Sequence, residues 1–147
     1  MMRRAYSPHR WIHYAKAGSV YALTVFAIGF ILGAVRVLVA VPHVGQTVAV
    51  LLESPLMLAA SWKLSRWCAT KYGLSDDPNG ARRMGAIAFL VLMIAEVATA
   101  VLCFHTTLAQ YVAGFWSIPG AIGLAGQLCF ACFPFLQAAS YRVGSTG

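Results

Sequence analysis

Four long apolar runs constrain this chain more than any other feature of its sequence. They cover residues 18–41, 44–62, 84–107 and 117–136. A helix rises 1.5 Å per residue, so about 20 apolar residues cross the roughly 30 Å hydrocarbon core of a bilayer. Too little polar sequence remains to cover four such helices in water. The runs therefore predict an all-α integral membrane protein, with four transmembrane helices in a compact bundle that forms a single domain over residues 1–147.

The basic residues lie almost entirely at one end of these predicted spans. Of the 11 Lys and Arg residues, all but Arg36 precede the first run, follow the fourth, or lie in the connection 63–83. Because cytoplasmic loops are enriched in Lys and Arg, this pattern predicts that both termini and the 63–83 loop face the cytoplasm, in an inner (plasma) membrane. The formal charge of +7 flanks apolar runs, which indicates anionic lipid headgroups as partners and argues against nucleic acid.

Local signals refine the ends of two predicted helices. Ser7-Pro8 has the pattern of a helix N-cap followed by proline at the first helical position, which predicts a short interfacial helix over residues 9–16. The second span is expected to continue past Trp62 towards Tyr72 and to stop at Gly73.

Each predicted span carries one strongly polar residue. These residues are Arg36, Glu53, Glu96 and Gln127. Residues seven apart lie on nearly the same helix face, and by this spacing each polar residue shares a face with small side chains. We therefore expect the four to share the interior of the bundle. Helical side chains lean towards the helix N-terminus, so Arg36 and Glu53 lean towards each other, and either glutamate can pair with Arg36.

Two carboxyls and one guanidinium leave one carboxyl without a cation. A charge at mid-membrane costs at least about 2.5–3.5 kcal/mol, so that carboxyl is expected to hold a proton. Such residues either fix helix register or form a site for a proton, an ion or a substrate. The leading interpretation is an accessory or interaction subunit of a larger membrane complex. The alternative is a proton- or ion-coupled small transporter or channel subunit that uses the buried glutamates.

Small residues predict where helices approach one another closely. Gly29 and Gly33 form a Gly-x-x-x-Gly pair in the first span, and Gly120 and Gly123 lie near the Gln127 face of the fourth. These four glycines are expected at helix contacts, either within the chain or between copies in a homo-oligomer.

Cys129 and Cys132 form a Cys-x-x-Cys motif in the fourth span. In helix count and in this motif the chain resembles the vitamin K epoxide reductases and the quinone-linked disulfide-forming enzymes, which implies a membrane thiol/quinone redox role. Those families use a second cysteine pair in an outer loop, whereas the connection 105–116 here contains no cysteine. The redox role is therefore a second alternative.

The chain is also similar in size to the small multidrug transporters, four-helix proteins that work as dimers around a membrane glutamate. That family carries its glutamate in the first span, whereas Glu53 and Glu96 lie in the second and third. The sequence contains no nucleotide-binding glycine loop, Ser-His-Asp arrangement or zinc motif. His43 and His105 do not have ligand spacing. We therefore predict no enzyme activity, no metal and no cofactor.

Overall fold

The computed structural model describes the backbone of residues 8–144 and the side chains of residues 10–141, and this part of the chain contains helices and no strand. The elements are α1 (Pro8–Val35), a π-helical segment (Arg36–Ala40), α2 (Val41–Val44), α3 (Gln46–Lys71), α4 (Pro78–Leu102), α5 (Leu108–Gly114) and α6 (Ile118–Gly144). Four stretches of helix are long and apolar enough to cross a membrane: Arg10–Val44, Gln46–Lys71, Pro78–Leu102 and Ile118–Tyr141. The predicted all-helical class and the number of apolar helices are confirmed.

The first of these helices is longer than its apolar run. It begins at Pro8, so the interfacial helix expected over residues 9–16 is the first part of α1 and not a separate element. Ser7, the expected N-cap, lies outside the described residues. Near its other end the helix widens into the π segment, where the amide of Val41 donates to the carbonyl of Arg36. Pro42 follows directly and has no N–H to continue an α-helical pattern, which explains the irregularity at this point.

The connection between α3 and α4 is much shorter than the predicted loop 63–83. The helix α3 runs to Lys71 and stops at Gly73, as predicted, with a φ of +67° at the glycine. The amides of Gly73 and Leu74 donate to the carbonyls of Thr70 and Ala69, which is the Schellman pattern of a helix end. Asp77 then caps α4 by accepting from the amide of Gly80.

The opposite end of the bundle contains a helix that the sequence analysis missed. The third apolar helix ends at Leu102 and not at residue 107, and α5 follows in the connection that was expected to be a loop. A capping box starts α5: Thr107 accepts from the amide of Gln110, whose side chain accepts from the amide of Thr107. This Thr-x-x-Gln pattern is visible in the sequence and could have predicted the helix.

The four long helices form a ring in which α1 and α6 each pack against both α3 and α4. The tightly packed part lies in the half that contains the start of α1, the α3–α4 turn and the end of α6. There Tyr14, Ala17, Tyr21, Met84 and Ala88 are almost completely buried. The backbones approach most closely at Gly18, where a Cβ would lie 2.8 Å from the carbonyl oxygen of Met84, and at Gly85, where it would overlap the carbonyl of Ala131.

A proline in α6 completes this core. Pro134 has no N–H, so the carbonyl of Phe130 receives no helical hydrogen bond from that position. The hydroxyl of Tyr21 donates to this carbonyl at 3.1 Å. The rings of Tyr21 and Phe130 also stack, with their centroids 4.3 Å apart. A tight half is thus built from residues of α1, α3, α4 and α6, and the helices separate in the other half.

The four glycines predicted to mediate helix packing behave differently from one another. A Cβ on Gly29 would meet the methyl group of Met57 on α3 at 3.0 Å, which is a helix contact. On Gly33 it would come no closer than 3.9 Å to the Arg36 guanidinium, and on Gly123 it would meet nothing within 4 Å. At Gly120 the neighbour is the carbonyl of Gly114 in the preceding turn. Gly33, Gly120 and Gly123 are therefore not points of close contact between long helices.

Candidate functional site

The separation of the helices in the half away from the termini creates a cavity of about 630 Å³. This volume lies within the range of about 300–1,000 Å³ that is usual for small-molecule sites. All of the long helices and the π segment contribute to its walls, which are mostly apolar. The four predicted polar residues, Arg36, Glu53, Glu96 and Gln127, all line it. Gly29, Gly33 and Gly123 line it as well, so their small size leaves room for the cavity.

Arg36 pairs with Glu53 across the cavity wall. The π segment begins at Arg36, and its Nε lies 3.2 Å from Oε2 of Glu53, with the two side chains 30% and 15% exposed. The same carboxylate oxygen is buried and makes no hydrogen bond to any described residue. The attraction therefore comes from charge, without an N–H aimed along the line to the oxygen, and it leaves that oxygen with unused acceptor capacity.

Glu96 has two different partners, Gln127 and Tyr111, and both are neutral. None of the described cations pairs with it. The amide nitrogen of Gln127 donates to its Oε2 at 2.6 Å, and the hydroxyl of Tyr111 donates to the same oxygen at 3.0 Å. The sequence left open which glutamate pairs with Arg36, and the structure places Glu53 in that position. Glu96 is thus a carboxyl within the apolar helices whose partners are neutral donors.

Tyr111 is the site residue that the sequence analysis did not identify. It lies in the connection 105–116, beyond the end of the third predicted span. The unpredicted helix α5 brings it back over the end of the bundle, where its ring packs edge-on against Phe115 at 5.1 Å. Burial, and then the charge of Glu96, raise the pKa of the Tyr111 phenol above its usual range, so at neutral pH the hydroxyl is a donor.

The cavity also contains a hydrogen-bond acceptor on α6. The carbonyl oxygen Oε1 of Gln127 is buried and has no hydrogen-bond partner among the described residues, while its amide nitrogen is used by Glu96. Buried polar atoms in proteins normally find a partner, and exceptions mark candidate sites. Together with Oε2 of Glu53, this oxygen gives the cavity two buried acceptors without a hydrogen bond, while the guanidinium of Arg36 supplies donors, so the walls can take a polar small molecule, a cation or water.

The remaining candidate residues lie apart from the cavity. Cys129 and Cys132 are free and exposed on α6, so no disulfide joins them in this structure. The ring of His43 contacts the carbonyl of Val39 in its own helix, at 2.7 Å from Nδ1. In the part of the chain that the structure describes, His, Cys, Asp and Glu side chains form no group of three that could hold a metal ion.

The arrangement can therefore do two things chemically: exchange a proton at a carboxyl without a cation, and bind a small molecule or cation among apolar walls. Comparisons with protein-family models, curated proteins and solved structures find no match to this chain.

Proposed function

We propose that this chain is a proton- or ion-coupled small transporter or channel subunit of an inner membrane, and that Glu96 is its proton-exchanging group. The observation that carries the proposal is the position of Glu96. It lines a cavity of about 630 Å³ and is held by Gln127 and Tyr111, two neutral donors, while Arg36 is occupied by Glu53. Intramembrane ionisable residues in such settings mark ion or proton pathways.

The two hydrogen bonds make the two carboxyl oxygens of Glu96 inequivalent. Both donors contact Oε2, which makes that oxygen the fixed acceptor. Oε1 is then the atom that takes up and releases the proton, and it can do so without breaking either bond. Since Tyr111 belongs to the short helix α5, movement of α5 would remove one donor and change the balance between the neutral and ionised carboxyl.

The positive residues support an orientation for this site. With the termini and the α3–α4 turn in the cytoplasm, the cavity would lie in the outer half of the membrane. Protons would then reach Glu96 from the outside, past α5. This orientation is part of the proposal.

An infrared titration tests the proposal directly. We expect the purified protein to show a neutral carboxyl band that disappears as the pH is raised through the working range, and Glu96→Gln to remove it. Asp76→Asn is the matched control, because it makes the same kind of change at an exposed carboxyl in the α3–α4 turn. If the band persists in Glu96→Gln, or if Glu96 stays ionised down to about pH 5, near the ordinary carboxyl range, the proton-exchange role is excluded.

Transport is then measured in vesicles that contain a pH-sensitive dye. A potassium gradient with valinomycin drives proton entry, and we expect vesicles with the wild-type protein to change pH faster than protein-free vesicles. Glu96→Gln should reduce the rate to that of protein-free vesicles, while Asp76→Asn should leave it unchanged. Equal rates for wild type and Glu96→Gln would contradict a proton pathway through this residue.

An accessory role in a larger complex remains the other prediction. It draws on the wide apolar surfaces of the bundle, where side chains such as Leu38, Leu102 and Trp116 are 76%, 74% and 89% exposed. Lipid or a partner protein can cover them equally well. The native mass of the protein extracted in mild detergent separates the two cases, since a complex much heavier than a small homo-oligomer would favour the accessory role.

A further inference from the structure

A second cavity lies at the opposite end of the molecule from the proposed proton site. It has a volume of about 220 Å³ and sits between the ends of α3 and α6 that are nearest the termini. Its walls include Trp62, Arg66, Ser75, Gln137 and Tyr141. Sites for drug-sized ligands start at about 300 Å³, so this cavity suits a smaller polar group.

Among the described residues, one gives this cavity its charge. Of those that line it, Arg66 is the only cation, and none is acidic. Among the described residues Arg66 makes no ion pair and no contact with an aromatic ring through its guanidinium. Of the basic residues near it in the chain, Lys71 lies over the ring of Trp67, and Lys63 is exposed and does not line the cavity. A guanidinium matches the oxygens of a phosphate in charge and in its two-pronged geometry.

Hydroxyl groups complete a set of donors around Arg66. Ser75 makes only a long hydrogen bond of 3.5 Å to Thr70, so its hydroxyl can turn towards a better acceptor. Tyr141 is exposed at the rim and has no hydrogen bond to a described residue. Gln137 is not available, because its amide oxygen accepts from Ser65 and its nitrogen donates to the carbonyl of Trp62. The free groups are therefore a guanidinium and two hydroxyls, each of which can donate to an anion.

The surroundings of the cavity favour a lipid as the source of that anion. Trp62 packs edge-on against Phe133 at 5.1 Å, and Leu136 on the same side is 47% exposed. Tryptophan and tyrosine concentrate where acyl chains meet headgroups, so apolar surface continues from the cavity towards the membrane interior. A phospholipid whose phosphate is held at Arg66 could thus extend its acyl chains along α3 and α6.

We propose that this cavity is a binding site for the phosphate of an anionic phospholipid, with Arg66 as the principal ligand and Ser75 and Tyr141 as further donors. The site is independent of the proposed proton pathway, since no residue lines both cavities. A phosphate group is the shared chemistry of a lipid headgroup and of free phosphate, and the experiment separates them.

Native mass spectrometry of the purified protein measures how many phospholipid molecules bind to it. The detergent-solubilised chain is titrated with phosphatidylglycerol or with phosphatidylcholine of the same acyl chains, and the bound copies are counted. We expect wild type to retain one phosphatidylglycerol in preference to phosphatidylcholine. Arg66→Gln should weaken this binding about tenfold, because a charge-assisted contact is lost. Lys63→Gln is the matched control, with the same loss of charge on an exposed side chain three residues away and outside the cavity.

If Arg66→Gln and Lys63→Gln weaken phosphatidylglycerol binding equally, the proposal is overturned, because the lipid is then attracted diffusely to a basic surface. Arg66→Lys keeps the charge but lacks the two-pronged donor, and it should bind with intermediate strength; unchanged binding would argue against direct phosphate coordination. If inorganic phosphate binds with the same dependence on Arg66 and phosphatidylglycerol shows no preference, the ligand is a soluble phosphate and the lipid assignment is wrong. Unchanged thermal unfolding shows that a variant is folded.

Discussion

The pairing of Arg36 with Glu53, and not with Glu96, can be measured by a double-mutant cycle. The Nε and Oε2 atoms lie 3.2 Å apart. At an effective dielectric constant of about 20, two unit charges at this distance attract by about 5 kcal/mol. Desolvation of both ions offsets much of this attraction, and the absence of an aligned hydrogen bond at Glu53 weakens it further. We therefore expect a net coupling of about 1–3 kcal/mol, within the range for contacting residues.

The cycle combines Arg36→Met with Glu53→Gln and follows unfolding of the purified protein in mixed micelles by the loss of helix. Each single variant leaves one charge without its partner, so each should be destabilised. The loss of unfolding free energy in the double variant should be smaller than the sum of the losses in the two single variants, and the difference is the coupling energy. The control cycle pairs Arg36→Met with Glu96→Gln, and it should be additive within about 0.5 kcal/mol because these side chains have different partners.

Two results would refute the reasoning. A coupling below about 0.5 kcal/mol for Arg36 and Glu53 would mean that the pair does not hold the helices together, and that Arg36 extends to the headgroups. Equal coupling to Glu53 and Glu96 would mean that one guanidinium serves both carboxyls. In that case Glu96 would no longer be the carboxyl without a cation.

Three further predictions concern packing and topology. Gly85→Ala should destabilise the bundle by about 1–3 kcal/mol, since its Cβ would overlap a backbone carbonyl of α6, while Gly126→Ala, with open space around it, should be neutral or stabilising in the same unfolding assay. Tyr21→Phe should cost about 1–3 kcal/mol, because it leaves the carbonyl freed by the proline of α6 without a donor; an unchanged unfolding midpoint would contradict this. Reporter fusions after Gly73 should be active in the cytoplasm and fusions at Ala109 outside it, and an external reading at Gly73 would reverse the proposed orientation.

The sequence determined the all-helical class, the number of long apolar helices and the end of α3, for local reasons. Apolar length alone predicts four long helices, because each needs only its own residues to cover about 30 Å. The stop at Gly73 follows from the left-handed conformation that glycine adopts readily. The choice of Arg36, Glu53, Glu96 and Gln127 as candidates also needed only the sequence, since a polar residue within an apolar run is conspicuous wherever its helix packs.

Only the tertiary structure decided which of these residues meet, because the partners depend on how the helices are rotated and ordered in the ring. Periodicity placed Arg36 within reach of either glutamate, and in the folded chain its Nε lies beside Glu53. Tyr111 reaches Glu96 only because α5 folds back over the bundle. The closest backbone contacts likewise fall at Gly18 and Gly85, outside the Gly-x-x-x-Gly pair, since a small residue shortens a helix contact only where another backbone faces it.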